Sequence, residues 1–274
     1  MIRPNDAAGI GCTLYIPVRK GSIEEAKQLP LFEHEDVAIN YEVRGAGFPL
    51  LLIAPGGMNS SIEWWARAVL NPLEVYATDF QLVAVDQRNA GASMGPLDVE
   101  DPWGSYVGDQ LRLLDHLDID RCHVLGCCIG CSHALGLVQR APDRFGAAVL
   151  QQPIGIVDDN RELFRSMWHE WGQQLADRRA DIDPITVEAF GTRMWQGEFV
   201  LNVTRDFVRS VTTPMLVLPG VDEFHPASIG REIAALAPNA KALEPWKDSP
   251  ELVRAAVELV RAFLREHTPA GVSP

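Results

Sequence analysis

Gly126-Cys127-Cys128-Ile129-Gly130 follows the strand-like run Arg121-Cys122-His123-Val124-Leu125 and precedes the helix-like run Cys131-Ser132-His133-Ala134-Leu135-Gly136-Leu137-Val138-Gln139, which Pro142 ends. Gly-x-nucleophile-x-Gly between a strand and a helix describes a nucleophile elbow. The two glycines make room where backbone and helix pass close to the turn. The central residue is forced into strain, so its side chain projects from the top of a sheet. Here that residue is Cys128. A thiol ionises more easily than a hydroxyl, and a helix N-terminus lowers its pKa further. The pattern points to covalent chemistry at Cys128. The pentapeptide alone is a weak pattern, and an intracellular cysteine is more often an inert, buried small hydrophobe, so the rest of the chain must decide.

The chain has 274 residues, enough for one large α/β domain with an insertion. Its 47% hydrophobic content supports a sizeable core, and 22% charged residues argue against disorder. A formal net charge of −13 with no offsetting Lys/Arg cluster argues against nucleic acid and anionic membranes as partners. No run of about 18 apolar residues is present, so no membrane span is expected. The start, Met1-Ile2-Arg3-Pro4-Asn5-Asp6, lacks an apolar signal core. Cysteines stand at 12, 122, 127, 128 and 131. Four of them crowd a strand and an elbow, a geometry unsuited to bridging, and the odd count suggests a reducing cytoplasm. Zinc is a rival use of the cluster with His123 and His133, but those ligands would span a strand and a helix. No metal or cofactor is expected.

Residues 1–30 read as an extension, with a short strand at Cys12–Ile16. Strands and helices then alternate, the signature of a mostly parallel sheet with helices on both faces. Val37–Val43 alternates as an antiparallel strand, and Leu50–Ala54 and Leu82–Val85 are wholly apolar, buried strands. A helix follows at about 104–118, then the elbow strand and helix, then strands at Gly146–Leu150, Met215–Leu218 and Lys241–Leu243. Pro226 opens a helix, and the last one starts with Ser249 as N-cap and Pro250 at its first position. Residues 156–209 break the alternation. Asp159-Asn160-Arg161-Glu162 reads as a capping box, and the next helix carries Phe164, Met167, Trp168 and Trp171 along one side. A second helix spans about 184–196. This segment reads as a helical cap whose inner face lines the pocket. The expected division is an extension (1–30), a core in two parts (31–155 and 210–266), the cap (156–209) and a tail (267–274).

On these features the chain resembles the α/β-hydrolase superfamily over roughly residues 31–265. Pro55-Gly56-Gly57-Met58 sits where that family has its oxyanion turn. Asp86-Gln87-Arg88-Asn89-Ala90-Gly91-Ala92-Ser93 is similar to its Asp-x-Arg-Gly-x-Gly-x-Ser loop, with Asn89 replacing a glycine. Residues 126–130 match its elbow, and Gly220-Val221-Asp222-Glu223-Phe224-His225-Pro226 resembles its acid loop. The resemblance implies the α/β-hydrolase fold, a mostly parallel sheet flanked by helices, with a small helical cap. Dienelactone hydrolases are similar in using an elbow cysteine. The oxyanion hole needs two backbone N–H donors aimed at one point. Ile129, the residue after the nucleophile, supplies one, and Gly57 or Met58 the other. By the same resemblance Asp222 is the acid of a triad.

The chain departs from the family where the catalytic histidine belongs. The loop before the last helix reads Glu244-Pro245-Trp246-Lys247-Asp248, without a histidine. Two substitutes are open. Lys247⁺ could hold Cys128 ionised, with Asp222 orienting it. Alternatively His225, three residues after Asp222, could turn toward Cys128 and carry the proton, although it could also cap a helix or touch the cap. Imidazole can accept and return a proton near pH 7, which favours His225. The expected reaction is hydrolysis of an ester, thioester or lactone of a small-to-medium apolar or aromatic compound through a Cys128 acyl-enzyme. Phe164, Met167, Trp168, Trp171 and Trp246 are the expected pocket residues. Acyl transfer, lyase or isomerase chemistry, and a non-enzymatic small-molecule receptor are the alternatives. A homodimer through an unpaired strand is allowed.

Overall fold

The computed structural model of the protein describes residues 29–157 and 160–271. The strand expected at 12–16 and Asp159 of the expected capping box lie outside the described residues. Strands β1 (Leu31–His34) and β2 (Val37–Arg44) form an antiparallel hairpin, and β2 pairs antiparallel with β4 (Gln81–Val85). From there β4, β3 (Pro49–Ile53), β5 (Cys122–Cys127), β6 (Phe145–Gln151), β7 (Met215–Leu218) and β8 (Ala240–Ala242) lie side by side and parallel. The order across the sheet is β1-β2-β4-β3-β5-β6-β7-β8.

The apolar runs decide this arrangement. Leu50, Leu51, Leu52 and Ile53 of β3 are all fully buried. Leu51 and Ile53 face a cluster with Leu113 and Leu114 of α2 (Pro102–His116) and with Leu135 of α3 (Ile129–Arg140). Leu50 and Leu52 face the other side, against Trp65, Tyr76 and Val260 and Leu264 of α8 (Pro250–Glu266). A strand covered on both faces needs apolar residues at every position, and each such side chain stabilises by roughly 1.5–3 kcal/mol.

Helix starts follow the capping chemistry. Asp101 accepts from Gly104 N–H at 3.0 Å ahead of Pro102, and Ser249 accepts from Leu252 N–H at 3.3 Å ahead of Pro250. Helix α2 begins two residues earlier than its periodicity suggests because Asp101 and Pro102 start it. Pro226 is the N-cap of α7 (Ala227–Leu236), not its first residue. Short α1 (Pro72–Val75) follows Asn71, whose side chain accepts from Leu73 N–H.

Between β6 and β7 stand α4 (Arg161–Arg178), α5 (Pro184–Trp195) and α6 (Arg205–Ser210). Helix α4 starts at Asn160, whose side chain does not cap it. Its amide instead accepts from Val157 N–H and donates to the Gly155 and Glu223 carbonyls. Phe164, Trp168, Trp171, Phe190 and Trp195 bury themselves with Met58, Tyr106 and Ile129 of the sheet domain. Helices α4 and α5 therefore roof the end of the sheet where β3, β5, β6 and β7 all terminate. Helix α6, which periodicity does not reveal because it is short, is capped by Thr204 and packs Val208 into the main core instead. Among the described residues no helix is long and apolar enough to cross a membrane.

One charged pair is sealed into this framework. Arg88 Nε and Nη2 donate to the two oxygens of Asp109 at 2.8 and 2.7 Å, and both side chains are almost wholly buried. Asp109→Ala leaves the guanidinium buried without its partner. The expected loss is about 3–5 kcal/mol of stability, read as a lowered urea midpoint. A loss below about 1 kcal/mol would show that water reaches Arg88.

Candidate active site

The site begins with the backbone of Cys128, which has φ 58° and ψ −121°. Left-handed φ in a residue with a Cβ is unfavourable, and packing on both sides enforces it here. A Cβ on Gly126 would lie 2.1 Å from the Gly130 carbonyl oxygen, and one on Gly130 would lie 2.2 Å from the Ile53 oxygen. Only glycine permits helix α3 to start this close to β5 and β3. Cys128 N–H donates to Gln151 O at 3.0 Å, tying the turn to β6. Cys128 is left part-exposed as a residue at the start of α3, with its sulfur turned into the enclosed site, whereas Cys122, Cys127 and Cys131 are buried. Cys127 points into the sheet face opposite Cys131. Burial pushes the Cys122 thiol up to about 12 and the Cys131 thiol well above its ordinary value.

The loop after β7 supplies the next two groups. Asp222 Oδ1 accepts from Phe224 N–H at 3.1 Å, from His225 N–H at 3.0 Å and from His225 Nδ1 at 2.6 Å. One carboxylate oxygen thus folds its own loop into a tight turn and captures the ring three residues on. An ionised carboxylate only accepts, so Nδ1 carries the hydrogen and Nε2 is the nitrogen left for other work. Nε2 is enclosed and has no partner in full hydrogen-bond geometry. The Cys128 sulfur nevertheless lies close enough to interact with it by charge and by a loose hydrogen bond. Long hydrogen bonds of this kind are common in unliganded catalytic sites.

The electrostatics favour an ion pair. Burial pushes the Cys128 thiol up, but the charge of His225, its hydrogen bond and the backbone N–H groups of Ile129 and Gly56 outweigh it, and the thiol is held below its ordinary value. Burial pushes His225 down, but the Cys128 and Asp222 charges and hydrogen bonds raise it to about 10. Asp222 is lowered despite its burial, chiefly by its bond to His225 and in smaller part by the charge of Lys247.

The remaining expected residues divide. The Ile129 N–H and, from the 55–58 turn, the Gly56 N–H both meet the Cys128 sulfur, and Gly57 and Met58 follow directly in the same turn. Met58 packs with Ile129 under the roof. Met167 Sδ lies 2.7 Å from where a Cβ of Gly57 would be, so Met167 sits directly over the turn. Phe164 stacks on Trp195 at 5.5 Å and meets the edge of Phe224, the neighbour of His225, at 5.6 Å. Trp168 packs against Gly191, and Trp171 against Phe190, so both join α4 to α5.

Trp246 corrects the expectation. It is buried and donates Nε1–H to Pro219 O at 2.8 Å, so its indole packs in the core layer beneath the site, a layer that Cys128 also borders, instead of lining an open pocket. Lys247 hydrogen-bonds Gln152 Oε1 just past the end of β6, and its charge lowers Asp222. Gln152 is not recognisable from the sequence, because no motif marks it; Gly56 lies in the 55–58 turn that the sequence does mark. A surface cleft lined by His34, Asp36, Arg88, Asp98 and Asp101 shares no residue with this site.

The arrangement contains a thiol at a helix N-terminus, an imidazole fixed by a carboxylate, and backbone N–H groups beside the sulfur. Chemically it suits attack on a carbonyl followed by proton return to a leaving group. A direct check is thiolate ultraviolet absorbance against pH. The wild-type step at Cys128 should fall below about 8.5, the unperturbed thiol value. In His225→Gln only the Ile129 and Gly56 N–H groups are left to oppose burial, and the step should move up from its wild-type position. An unmoved step would remove His225 from the site.

Residues 49–199 match the family described as alpha/beta hydrolase fold. A proposed carbamate hydrolase, RutD, of Rhizobium rhizogenes is 30% identical over 116 residues, 41% of this chain and 42% of that protein. Carboxylesterase YbfK of Bacillus subtilis is 25% identical over 108 residues, 38% of this chain and 34% of that protein. The chain therefore spans less than half the length of these curated relatives. Among solved structures, the meta-cleavage product hydrolase CumD of Pseudomonas fluorescens IP01 superposes with a TM-score of 0.64 at 20% identity, over 85% of this chain and 96% of that one. A hydrolase from Pseudomonas aeruginosa superposes with a TM-score of 0.63 at 23% identity, over 87% and 99%. At these identities the superpositions speak for the fold alone.

Proposed function

The chain belongs to the alpha/beta hydrolase fold family, and from that premise we propose that it is a hydrolase that opens an ester, thioester or lactone through an acyl-enzyme on Cys128. The observation that carries this reading is the Asp222–His225 pair facing the elbow thiol. Two relatives named for carbonyl hydrolysis, of carbamates and of carboxylic esters, point to the same class of bond.

The Cys128 thiolate attacks the carbonyl carbon. The developing oxyanion is met by Ile129 N–H and by a donor of the 56–58 turn. His225 gives its Nε2 proton to the departing alcohol or thiol. A water then enters, His225 takes its proton, and the resulting hydroxide cleaves the thioester and frees Cys128. Asp222 fixes the ring orientation and stabilises the imidazolium. Lys247, held by Gln152, supports the charge of Asp222 and does not touch the reacting atoms. Phe164 and Met167 form part of an apolar roof that suits an apolar or aromatic acyl group, while Trp168 and Trp171 hold that roof together.

The ion pair sets the pH dependence. Below the lowered Cys128 pKa the thiolate is protonated and attack fails. Above about 10 His225 loses the proton that the leaving group needs. With simple alkyl esters of apolar acids, whose alkoxide must be protonated to leave, kcat/KM should trace a bell with its alkaline limb near pH 10. His225→Gln should lower it by about 10²–10⁴-fold, Lys247→Met by less, and Cys128→Ala should abolish it. Turnover by Cys128→Ala would end the covalent reading. Separately, Met167→Ala should reorder acyl-chain preference with little change in Tm. A lower Tm with unchanged preference would reduce Met167 to packing.

A further inference from the structure

The elbow holds a second thiol that the proposed hydrolysis does not use. Cys128-Ile129-Gly130-Cys131 is a C-x-x-C sequence in which Cys128 is the N-cap and Cys131 the third residue of α3. A strand leads into it and a helix leads out. The same placement serves the redox pair of thioredoxin-like proteins.

The backbone brings the Cα atoms of the two residues into bridging range. Cys131 N–H donates to Cys128 O at 3.1 Å. A turn closed in this way keeps its end Cα atoms within about 7 Å, and disulfides span roughly 4.4–6.8 Å. Cys131 Sγ lies directly under the elbow, donating to Gly126 O at 3.2 Å and to Gln151 O at 3.3 Å. Gln151 O is the same acceptor that holds Cys128 N–H. Cys127 is nearer in sequence and packs in a cluster that Cys128 also borders, but a bridge between chain neighbours would have to distort the planar trans peptide that joins them. The two thiols also differ as a redox pair requires: Cys128 is part-exposed and Cys131 is buried. The roof of α4 and α5 shields the site from bulky oxidants, whereas a peroxide is little larger than water.

We propose that Cys128 and Cys131 form a peroxide-responsive pair, in which hydrogen peroxide oxidises Cys128 and Cys131 resolves it as an intramolecular disulfide that reversibly switches the site off. In the first step the Cys128 thiolate attacks one peroxide oxygen and the O–O bond breaks. The departing hydroxide takes the His225 Nε2 proton and leaves as water, giving Cys128–SOH. In the second step the Cys131 sulfur attacks that of Cys128, the S–O bond breaks, and the thiol proton leaves with the hydroxyl as a second water. Cys128 and Cys131 each lose one electron to the peroxide. Bridging protects Cys128 from the irreversible sulfinic state and can be undone by a dithiol. The proposal shares with the hydrolase reading the reactive thiolate of Cys128 but requires no acyl substrate.

The test is to treat the full chain with hydrogen peroxide, block residual thiols under denaturing conditions, and map residues 122–140 by tandem mass spectrometry. The expected result is a loss of two hydrogens, with Cys128 and Cys131 both protected and both recovered, together with esterase activity, after dithiothreitol. Cys131→Ala should instead gain two oxygens on Cys128 and stay inactive after dithiothreitol. Cys131→Ser keeps a donor for the Gly126 and Gln151 carbonyls and should behave the same way, which separates a missing bridge from a disturbed fold. A Cys127–Cys128 bridge, or wild-type Cys128 overoxidised as fast as in Cys131→Ala, overturns the pair. If peroxide leaves Cys128 unchanged while an activated ester still acylates it, the redox proposal fails and the hydrolase reading stands. If neither reagent modifies Cys128, both fall together.

Discussion

The structure depends on holding one residue in a conformation it would otherwise avoid. Cys128 sits at φ 58°, a strain of order ~1–3 kcal/mol for a residue with a side chain. It persists because its surroundings leave no alternative. Gly126 and Gly130 bring α3 against β5 and β3 at distances that exclude a Cβ. Gln151 O holds the Cys128 N–H from the neighbouring strand. Relaxing Cys128 would require the β5–β6 pairing or the start of α3 to give way, and both are anchored in fully buried layers. The sheet thus turns packing energy into the position of one sulfur atom.

Parallel strands end on the same side, so loops after β3, β5, β6 and β7 meet there whatever their sequences. This topology explains how a histidine can come from an unfamiliar place. The loop after β8, which carries Trp246 and Lys247, and the loop after β7, which carries Asp222 and His225, stand next to each other at that edge. Asp222 Oδ1 organises the β7 loop with three hydrogen bonds, so acid and imidazole arrive as one local unit. Lys247 then faces Gln152 and adds its charge beside Asp222. Carboxylate and histidine require only one another, the turn geometry and an open sheet end.

Much of this is legible in the amino-acid sequence, and the reasons are particular. The wholly apolar β3 and β4 can only be buried on both faces, and Gly126 and Gly130 can only mark a close approach around Cys128. Ser249-Pro250 spells a helix start that α8 uses. What escapes is set by contacts between loops. Trp246 reads as a pocket aromatic because its neighbour Lys247 stands at the site, yet its indole turns under the loop to Pro219 O. The Gly56 N–H beside the sulfur also escapes, because composition marks the 55–58 turn but not which of its N–H groups meets the thiol. Gln152 carries no motif. The Asp222–His225 spacing is visible in the chain, but whether the ring faces the cap or the thiol depends on the Asx turn that only Asp222 Oδ1 reveals.

If Cys128 is the nucleophile, as we propose, a cysteine in place of a serine changes what the base must do. A hydroxyl stays protonated at any physiological pH, so a serine needs an imidazole aligned well enough to take the proton during attack. A thiol ionises near about 8.5 unaided. In an apolar enclosure its charge is costly, and the same low dielectric strengthens an opposite charge beside it. His225, raised to about 10 by the Cys128 and Asp222 charges against its own burial, can hold the proton before substrate arrives. The loose Nε2 contact then suffices, because it must stabilise a thiolate already formed and return a proton later. On the proposed reading, this relaxed demand is what lets the histidine leave the β8 loop for a tight turn after β7. It also leaves a standing thiolate one helical turn from a second thiol.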